Sequence, residues 1–188
     1  MPGNVAISKV IVFINADAEK LPLNSFSVDV IFSNFVLQWC DNLKHALSEC
    51  LRVVKPGGCV GFSIPVAGTL RELQKSWRQI DAHSHVNSFY SEEDVKLILS
   101  EALKKTAYSN DYETHFSSYR CDEHYDTLKE ILRNLKHIGA NTVKASGRKG
   151  LMGKAHFAKL EENYEQFRCE KGLPISYEVL QVVINVPL

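Results

Sequence analysis

The order of three segments between residues 28 and 64 restricts the fold more than any other feature of the sequence. Val28–Phe32 (VDVIF) and Cys59–Ile64 (CVGFSI) are short apolar runs typical of strands. Asn42–Val54 lies between them and repeats apolar residues every three or four positions, as an amphipathic helix does. Lys55–Gly58 (KPGG) ends that helix. Strand, helix, turn and strand predict a right-handed βαβ unit with parallel strands, and the expected fold class is α/β.

The rest of the chain adds further elements to this unit. Val5–Ile14 (VAISKVIVFI) is nearly continuous in apolar residues, which is typical of a strand buried on both faces of a parallel sheet. Periodicity and capping residues predict helices over Thr69–Ile80, Ser91–Lys105, Asp122–His137 and His156–Lys171, and strands over Ala107–Tyr119 and Tyr177–Val186. The last strand is β-branched and is expected to be central in the sheet.

Composition excludes several classes of protein. The 188 residues carry 22 basic and 22 acidic side chains, and 45% are apolar, which disfavours disorder and binding of nucleic acid by the whole protein. Five cysteines without a CxxC spacing favour neither a disulfide framework nor a zinc site, so a reducing, cytoplasmic compartment is expected. The apolar stretch Val10–Ile14 is too short to span a bilayer, and no leader peptide or membrane association is predicted.

Positive charge is concentrated in residues 127–160. Only Glu130 is acidic there, against Lys129, Arg133, Lys136, Lys144, Arg148, Lys149, Lys154 and Lys159. Such a segment is expected to attract an acidic partner. The alternative is that these residues lie on solvated helix faces whose charges happen to have the same sign.

Three stretches, in order and at this spacing, resemble one protein family. They are Asn15–Pro22 (NADAEKLP), Phe26–Trp39 (FSVDVIFSNFVLQW) and Leu47–Phe62 (LSECLRVVKPGGCVGF). Together they are similar to the part of class I S-adenosylmethionine-dependent methyltransferases that follows the nucleotide-binding turn. A finer resemblance, to the malonyl-(acyl carrier protein) O-methyltransferases of biotin synthesis, rests on SNFVLQWCDNL from Ser33, GTLRELQKSW from Gly68, LKHIGA from Leu135, GLMGKAHFAKLEENYE from Gly150 and GLPISYEVL from Gly172.

The resemblance implies a single domain with an incomplete Rossmann-like sheet. That sheet would be mostly parallel with an antiparallel C-terminal strand. Residues 1–66 would form the C-terminal part of the cofactor-binding core, 67–105 a helical lid insertion, and 106–188 the remaining strands and helices of the substrate-facing half.

The resemblance also implies a site for S-adenosyl-L-methionine. The Asp17 carboxylate would accept from the adenine amino group while the backbone of Ala18 meets a ring nitrogen. Backbone carbonyls of Ser33 and Asn34 would face the methionine amine or the reacting methyl. The alternatives are that Asp17 only caps the following turn, and that Ser33 and Asn34 only end a strand.

The implied acceptor is the free carboxyl of a malonyl group on acidic acyl carrier protein, which the basic segment would attract. A carboxylate is ionised at neutral pH, so no general base is expected. Gln38 is predicted to contact the acceptor and Arg148 to orient it, because a guanidinium matches a carboxylate's geometry. Trp39 is favoured as a core residue. His83 and His85 are favoured in structural or solvent-exposed roles, and no metal site is expected.

The sequence departs from the family at its beginning. Gly3 is the only glycine before Asn15, so the family's glycine-rich turn is not found there. Val5–Ile14 is therefore expected either to pair beside Val28–Phe32 or to be poorly ordered, and Asp17 to be displaced. Three interpretations of the chain remain open: a fragment, a partner of a separately encoded N-terminal piece, and a remnant. So do two other functions, a non-catalytic module that binds the carrier protein and a methyltransferase acting on a quinone or other small molecule.

Overall fold

The computed structural model describes residues 11–106, 111–137 and 153–188. Its elements are β1 (Val28–Asn34), a 3-10 turn (Leu37–Trp39), α1 (Leu43–Val53), β2 (Val54–Pro65), α2 (Arg71–Arg78), α3 (Glu92–Leu103), β3 (Glu113–Tyr125), α4 (Leu128–His137), α5 (Lys154–Glu165) and β4 (Leu173–Asn185). The α/β fold class is thus confirmed. Asn42 begins α1, and its side chain accepts from the backbone N–H of His45.

One sheet organises these elements in the order β1-β2-β4-β3. β1 and β2 are parallel and joined through α1, as the βαβ prediction requires. β4 lies between β2 and β3 and is antiparallel to both, so its predicted central position is confirmed. The described sheet is not mostly parallel, because it contains one βαβ unit and the other two pairings are made by β4.

Two hydrophobic clusters hold the helices on the sheet. The first joins α1 and α3 to the later half of β4, with Leu47, Leu51, Val95, Leu99, Phe62, Ile64, Leu180, Val182 and Ile184 buried. The second joins α2, α4 and α5 to the start of β4, with Leu73, Trp77, Leu128, Ile131, Leu160, Tyr164, Leu173 and Ile175 buried. Of the two helices expected in the lid, α3 therefore packs on α1, and α2 belongs to the second cluster.

Three predicted boundaries differ from those in the structure: the end of β3, the start of α4 and the end of α5. β3 continues to Tyr125, where a helix was expected from Asp122, because residues 113–125 pair with β4 along their whole length. α4 begins only after Thr127, whose hydroxyl accepts from the Glu130 N–H while the Glu130 carboxylate accepts from the Thr127 N–H. α5 ends at Glu165 instead of Lys171, and a tight turn with Gly172 at φ 113° leads into β4.

The predicted strand Val5–Ile14 is not found in its described part. Residues 11–14 belong to no strand, and all four side chains are more than half exposed; residues 5–10 lie outside the described residues. Residues 11–14 do not pair beside β1, which was one of the two expected outcomes. No described strand covers the outer edge of β1, where Val30 is 68% and Phe32 79% exposed.

A buried carboxylate ties α2 to β4. Glu72 is 3% exposed and accepts from the Ser176 hydroxyl (2.6 Å), the Ser176 N–H (3.2 Å) and Arg71 Nε (3.0 Å). Beside it, the Thr69 hydroxyl donates to the Glu178 carbonyl and accepts from the Glu178 N–H. The two sequence motifs that begin at Gly68 and Gly172 therefore contact each other directly.

Replacing Glu72 should destabilise the protein. Glu72→Ala leaves buried donors of Ser176 without an acceptor, so we expect a loss of about 2–4 kcal/mol in the free energy of unfolding. Lys75→Ala, at an exposed position of the same helix, is the control and should stay within about 0.5 kcal/mol of wild type. Urea unfolding followed by circular dichroism measures both, and equal stability of the two variants would contradict the buried network.

Candidate functional site

Asp17 lies in a short exposed turn. Its Oδ1 accepts from the Glu19 N–H at 2.9 Å, and its carbonyl accepts from the Lys20 N–H at 3.0 Å. Asp17 therefore caps a turn, as the alternative interpretation of the sequence has it. This contact uses one carboxylate oxygen and leaves the predicted role at adenine untested. Ala18 is half-buried against the first cluster.

Glu19 fixes the position of this turn. Its Oε1 accepts from the backbone N–H groups of Asp41 (2.6 Å) and Asn42 (2.9 Å) at the start of α1. A carboxylate is favoured there, because the first N–H groups of a helix have no partner within it. Since α1 follows the end of β1 after only a short connection, the Asp17 turn lies at the carboxyl end of β1. In α/β sheets, ligands bind at this end of the strands.

The chain after the turn is held by two side chains of α1. Glu49 accepts from the Leu21 N–H at 2.8 Å, and Arg52 donates to the carbonyls of Leu21 (3.0 Å) and Leu23 (2.8 Å). The two side chains also bind each other through two N–H···O contacts, at 2.7 and 2.8 Å. The hydrogen bond from Arg52 lowers the pKa of Glu49, against the effect of burial, and the Leu21 N–H lowers it further.

Ser33 and Asn34 end β1, as predicted. The Ser33 hydroxyl is buried and has no hydrogen-bond partner among the described residues, whereas Asn34 accepts from the Ser63 hydroxyl of β2. Phe35 follows with φ 51°, in the left-handed region that non-glycine residues rarely adopt, and its N–H donates to the Ser63 carbonyl at 3.1 Å. Unpartnered buried polar atoms and backbone strain are typical of functional sites.

Gln38 faces a cavity of about 290 Å³. Its Nε2 donates to the Phe35 carbonyl at 2.7 Å, and its Oε1 is buried without a partner in the described part of the chain. Trp39 is half-buried and lines the same cavity, so it is not one of the fully buried core residues. The structure thus brings Gln38 and Trp39 together with the end of β1.

The remaining walls come from distant parts of the sequence. Leu70, Asn87 and Phe89 come from the region around α2 and the segment after it, and Tyr177 comes from β4. Burial, with a smaller contribution from Glu123, raises the pKa of Tyr177 to about 12, so its hydroxyl is neutral at physiological pH. The sequence analysis contains Leu70 and Tyr177 only as parts of motifs, and none of these four residues was predicted to belong to the site.

The two lid histidines have structural contacts. His85 Nε2 lies 2.9 Å from the Asp81 carboxylate, and its ring stacks on Trp77 at 3.8 Å between centroids. The backbone N–H of His83 donates to the same carboxylate. In the ranges that the structure describes, no group of three or more His, Cys, Asp or Glu side chains could hold a metal ion.

The basic segment is described only in part. Five of its basic side chains, all exposed, lie on α4 and α5: Lys129, Arg133, Lys136, Lys154 and Lys159. Arg148, the predicted orienting residue, lies outside the described residues together with Lys144 and Lys149. None of the described helices is long and apolar enough to cross a membrane.

Comparison with known proteins first defines the class. A Bacillus halodurans crystal structure provisionally assigned as a methyltransferase superposes with a TM-score of 0.57 at 14% identity, covering 92% of this chain and 70% of that one. A family model described as a methyltransferase domain matches residues 3–62. The fold is that of a class I methyltransferase, as the sequence predicted.

Sequence comparison then gives more specific relatives. Malonyl-[acyl-carrier protein] O-methyltransferase 1 of Coxiella burnetii is 39% identical over 161 residues, which are 85% of this chain and 54% of that protein. The biotin biosynthesis bifunctional protein BioHC of Teredinibacter turnerae is 36% identical over 174 residues, 92% of this chain and 29% of that protein. The chain is similar to these malonyl-[acyl-carrier protein] O-methyltransferases over most of its own length, and it spans about half the length of the single-function relatives that it matches.

The hydrogen bond from the Leu21 N–H to Glu49 should weaken in acid. Because the pKa of Glu49 is lowered in the fold, its stabilising effect is present above the unfolded value of about 4.5 and is lost as pH falls through the lower folded value. We expect the hydrogen-exchange protection factor of the Leu21 amide to fall by about tenfold between pH 6 and acid pH, since hydrogen bonds to charged groups contribute about 1.5 kcal/mol or more.

Glu49→Gln should lower the protection of the Leu21 amide at pH 6 and remove most of its pH dependence. Glu93→Gln, at an exposed site on α3, should behave as wild type; a Leu21 amide unaffected by either change would contradict this hydrogen bond.

Proposed function

We propose that this chain is an S-adenosyl-L-methionine-dependent O-methyltransferase that converts the free carboxyl of malonyl-acyl carrier protein into its methyl ester in biotin biosynthesis. The observation that carries the proposal is the cavity at the carboxyl end of β1, which Phe35, Gln38 and Trp39 line just after that strand, in a chain 39% identical to such an enzyme. This position is where α/β sheets bind ligands.

Four residues are proposed to hold the cofactor, which supplies an electrophilic methyl group on a sulfonium. Asp17 would accept from the adenine amino group and the backbone of Ala18 would meet a ring nitrogen. Carbonyls of Ser33 and Asn34 would face the methionine amine. Support comes from the Glu19 contacts, which hold the Asp17 turn near the end of β1, and from the Ser33 hydroxyl, which lacks a partner among the described residues.

The acceptor would need positioning more than activation. A malonyl carboxylate is already ionised at neutral pH and can attack without a general base. It must lie in line with the methyl group at roughly 3 to 3.5 Å with water excluded. Phe35, Trp39, Leu70 and Phe89 supply an apolar wall that favours this exclusion. Arg148 is proposed to grip the second carboxylate oxygen.

The carrier protein is proposed to dock on the basic segment of residues 127–160, through α4 and the first two turns of α5. Their five exposed basic side chains would attract an acidic partner and raise the encounter rate, more strongly at low salt. This surface does not depend on the cofactor site, so a non-catalytic module that only binds the carrier protein is the second candidate. A separately encoded N-terminal partner is also proposed. The outer edge of β1, which pairs with no described strand, favours it, and so do Val30 and Phe32, which are exposed on one face of that strand.

Mass spectrometry of malonyl-carrier protein incubated with S-adenosylmethionine tests the function directly. We expect a mass gain of one methyl group on the carrier-bound acid and little methylation of free malonate. Methylation of the free acid alone would favour the small-molecule alternative. Carrier binding without methylation, and without heat on calorimetric titration with S-adenosylmethionine, would favour the non-catalytic module.

The docking surface is tested in the same assay. Lys129→Glu should raise the KM for malonyl-carrier protein by about threefold or more at low salt and by less at high salt, because it reverses one charge of the surface. Lys104→Glu, the same change at an exposed site next to α3, is the matched control. Equal effects of the two variants, or a KM independent of salt, would remove this role for α4.

A further inference from the structure

A second cavity lies at the opposite end of the sheet from the candidate site. Its volume is about 250 Å³, and its walls come from the last two turns of α1, the end of α3, Phe26 just before β1 and Val186 just after β4. It therefore lies at the amino end of β1, whereas Gln38 lines the first cavity just after the carboxyl end. The two cavities share no residue among those that the structure describes.

The floor of the second cavity is apolar. Leu51, Ala102 and Val186 are buried members of the first hydrophobic cluster, and Tyr112 packs against the same cluster. Phe26 also lines the cavity, but it is 51% exposed. The apolar body of a ligand would cover Phe26 and remove this surface from water, which is favourable.

Arg52 lines the same cavity, but its side chain is already paired. It donates to both carboxylate oxygens of Glu49, to the carbonyls of Leu21 and Leu23 and, at 3.4 Å, to the Ser25 hydroxyl. These contacts use all of the N–H groups of a guanidinium, and Glu49 balances its charge. Arg52 therefore has no donor left for a ligand.

Lys105 is the cation of the walls that can bind a ligand. Its side chain is exposed, and its ammonium group makes no hydrogen bond or ion pair with any residue in the described ranges. The hydroxyls of Ser48 and Thr106 donate to backbone carbonyls, each at 2.8 Å, so they do not compete as donors. No acidic side chain occurs among the described lining residues, so the walls favour one negative charge.

The carboxyl ends of α1 and α3 do not repel a negative charge strongly. The carbonyls of Arg52 and Val53 accept from the N–H groups of Phe26 (3.0 Å) and Ser27 (2.8 Å), and the last carbonyls of α3 accept from the N–H groups of residues 104–106. The partial negative charge of a helix C-terminus lies on carbonyls without a partner, so these contacts reduce it.

We propose that the second cavity binds a small monocarboxylate, with its apolar body against Leu51 and Phe26 and its carboxylate on the Lys105 ammonium. A phosphate dianion is disfavoured, because it needs several donors and the walls offer one free ammonium. A ligand bound here lies against Arg52, which also holds the chain that follows the Asp17 turn. The inference does not depend on the proposed methyl transfer.

Three probes test the proposal on the full chain by NMR titration. Hexanoate has both features of the ligand, acetate has the charge without the apolar body, and hexanol has the body without the charge. We expect hexanoate to bind about tenfold or more tightly than acetate, because its methylene groups are buried. It should bind about threefold more tightly than hexanol at low salt, as one exposed ion pair implies, and this preference should shrink at high salt. The backbone amides of Phe26, Ala102 and Thr106 should shift together.

Lys105→Met removes the cation and should abolish the preference for hexanoate over hexanol without changing the affinity for hexanol. Lys104→Met is the matched control, because Lys104 is the neighbouring exposed lysine and is not among the described lining residues. This variant should keep the preference. The comparison of the three probes on wild type needs no variant, so it stands even where Lys105→Met fails to fold.

Equal binding of hexanoate and hexanol by wild type, equal binding of hexanoate and acetate, or binding of none of the three overturns the proposal. Shifts caused by hexanoate only at residues 33–38 also overturn it, because the carboxylate then occupies the first cavity. A preference for hexanoate that survives Lys105→Met, or that Lys104→Met removes equally, contradicts the pairing with Lys105.

Discussion

Parallel pairing of β1 with β2 determines where a ligand can bind in this protein. The pairing brings Asn34 beside Ser63 at the carboxyl ends of both strands, and Phe35 leaves β1 in a left-handed conformation with its N–H on the Ser63 carbonyl. Gln38 then hydrogen-bonds back to the Phe35 carbonyl. The orientation of its amide is therefore a consequence of how β1 ends.

A second set of contacts places the other walls against this end of the sheet. Glu72 and Thr69 bind the backbone of β4 on either side of Tyr177, and Tyr177 lines the same cavity as Gln38. Because these polar contacts are buried or half-buried, α2 has a fixed position on β4. The cavity thus depends on strand pairing on one side and on the Glu72 network on the other.

Sequence alone predicted the features that depend on local patterns. The βαβ unit follows from periodicity within residues 28–64, and Ser33, Asn34 and Gln38 follow from a resemblance that their own stretch carries. The predicted end of β3, at Tyr119, was wrong because residues 120–125 form a strand only through pairing with the start of β4. The Glu19 contacts and the amide orientation of Gln38 depend on backbone groups brought together by folding, which no spacing in the sequence reveals.

The central claim is that the Asp17 turn and the end of β1 form one ligand site. Titration of the isotope-labelled chain with S-adenosylhomocysteine, followed by backbone amide chemical shifts, tests this claim most directly. We expect residues 17–20 and 33–38 to shift together along one binding curve. Shifts confined to one of these stretches, or separate curves for the two, would contradict the account.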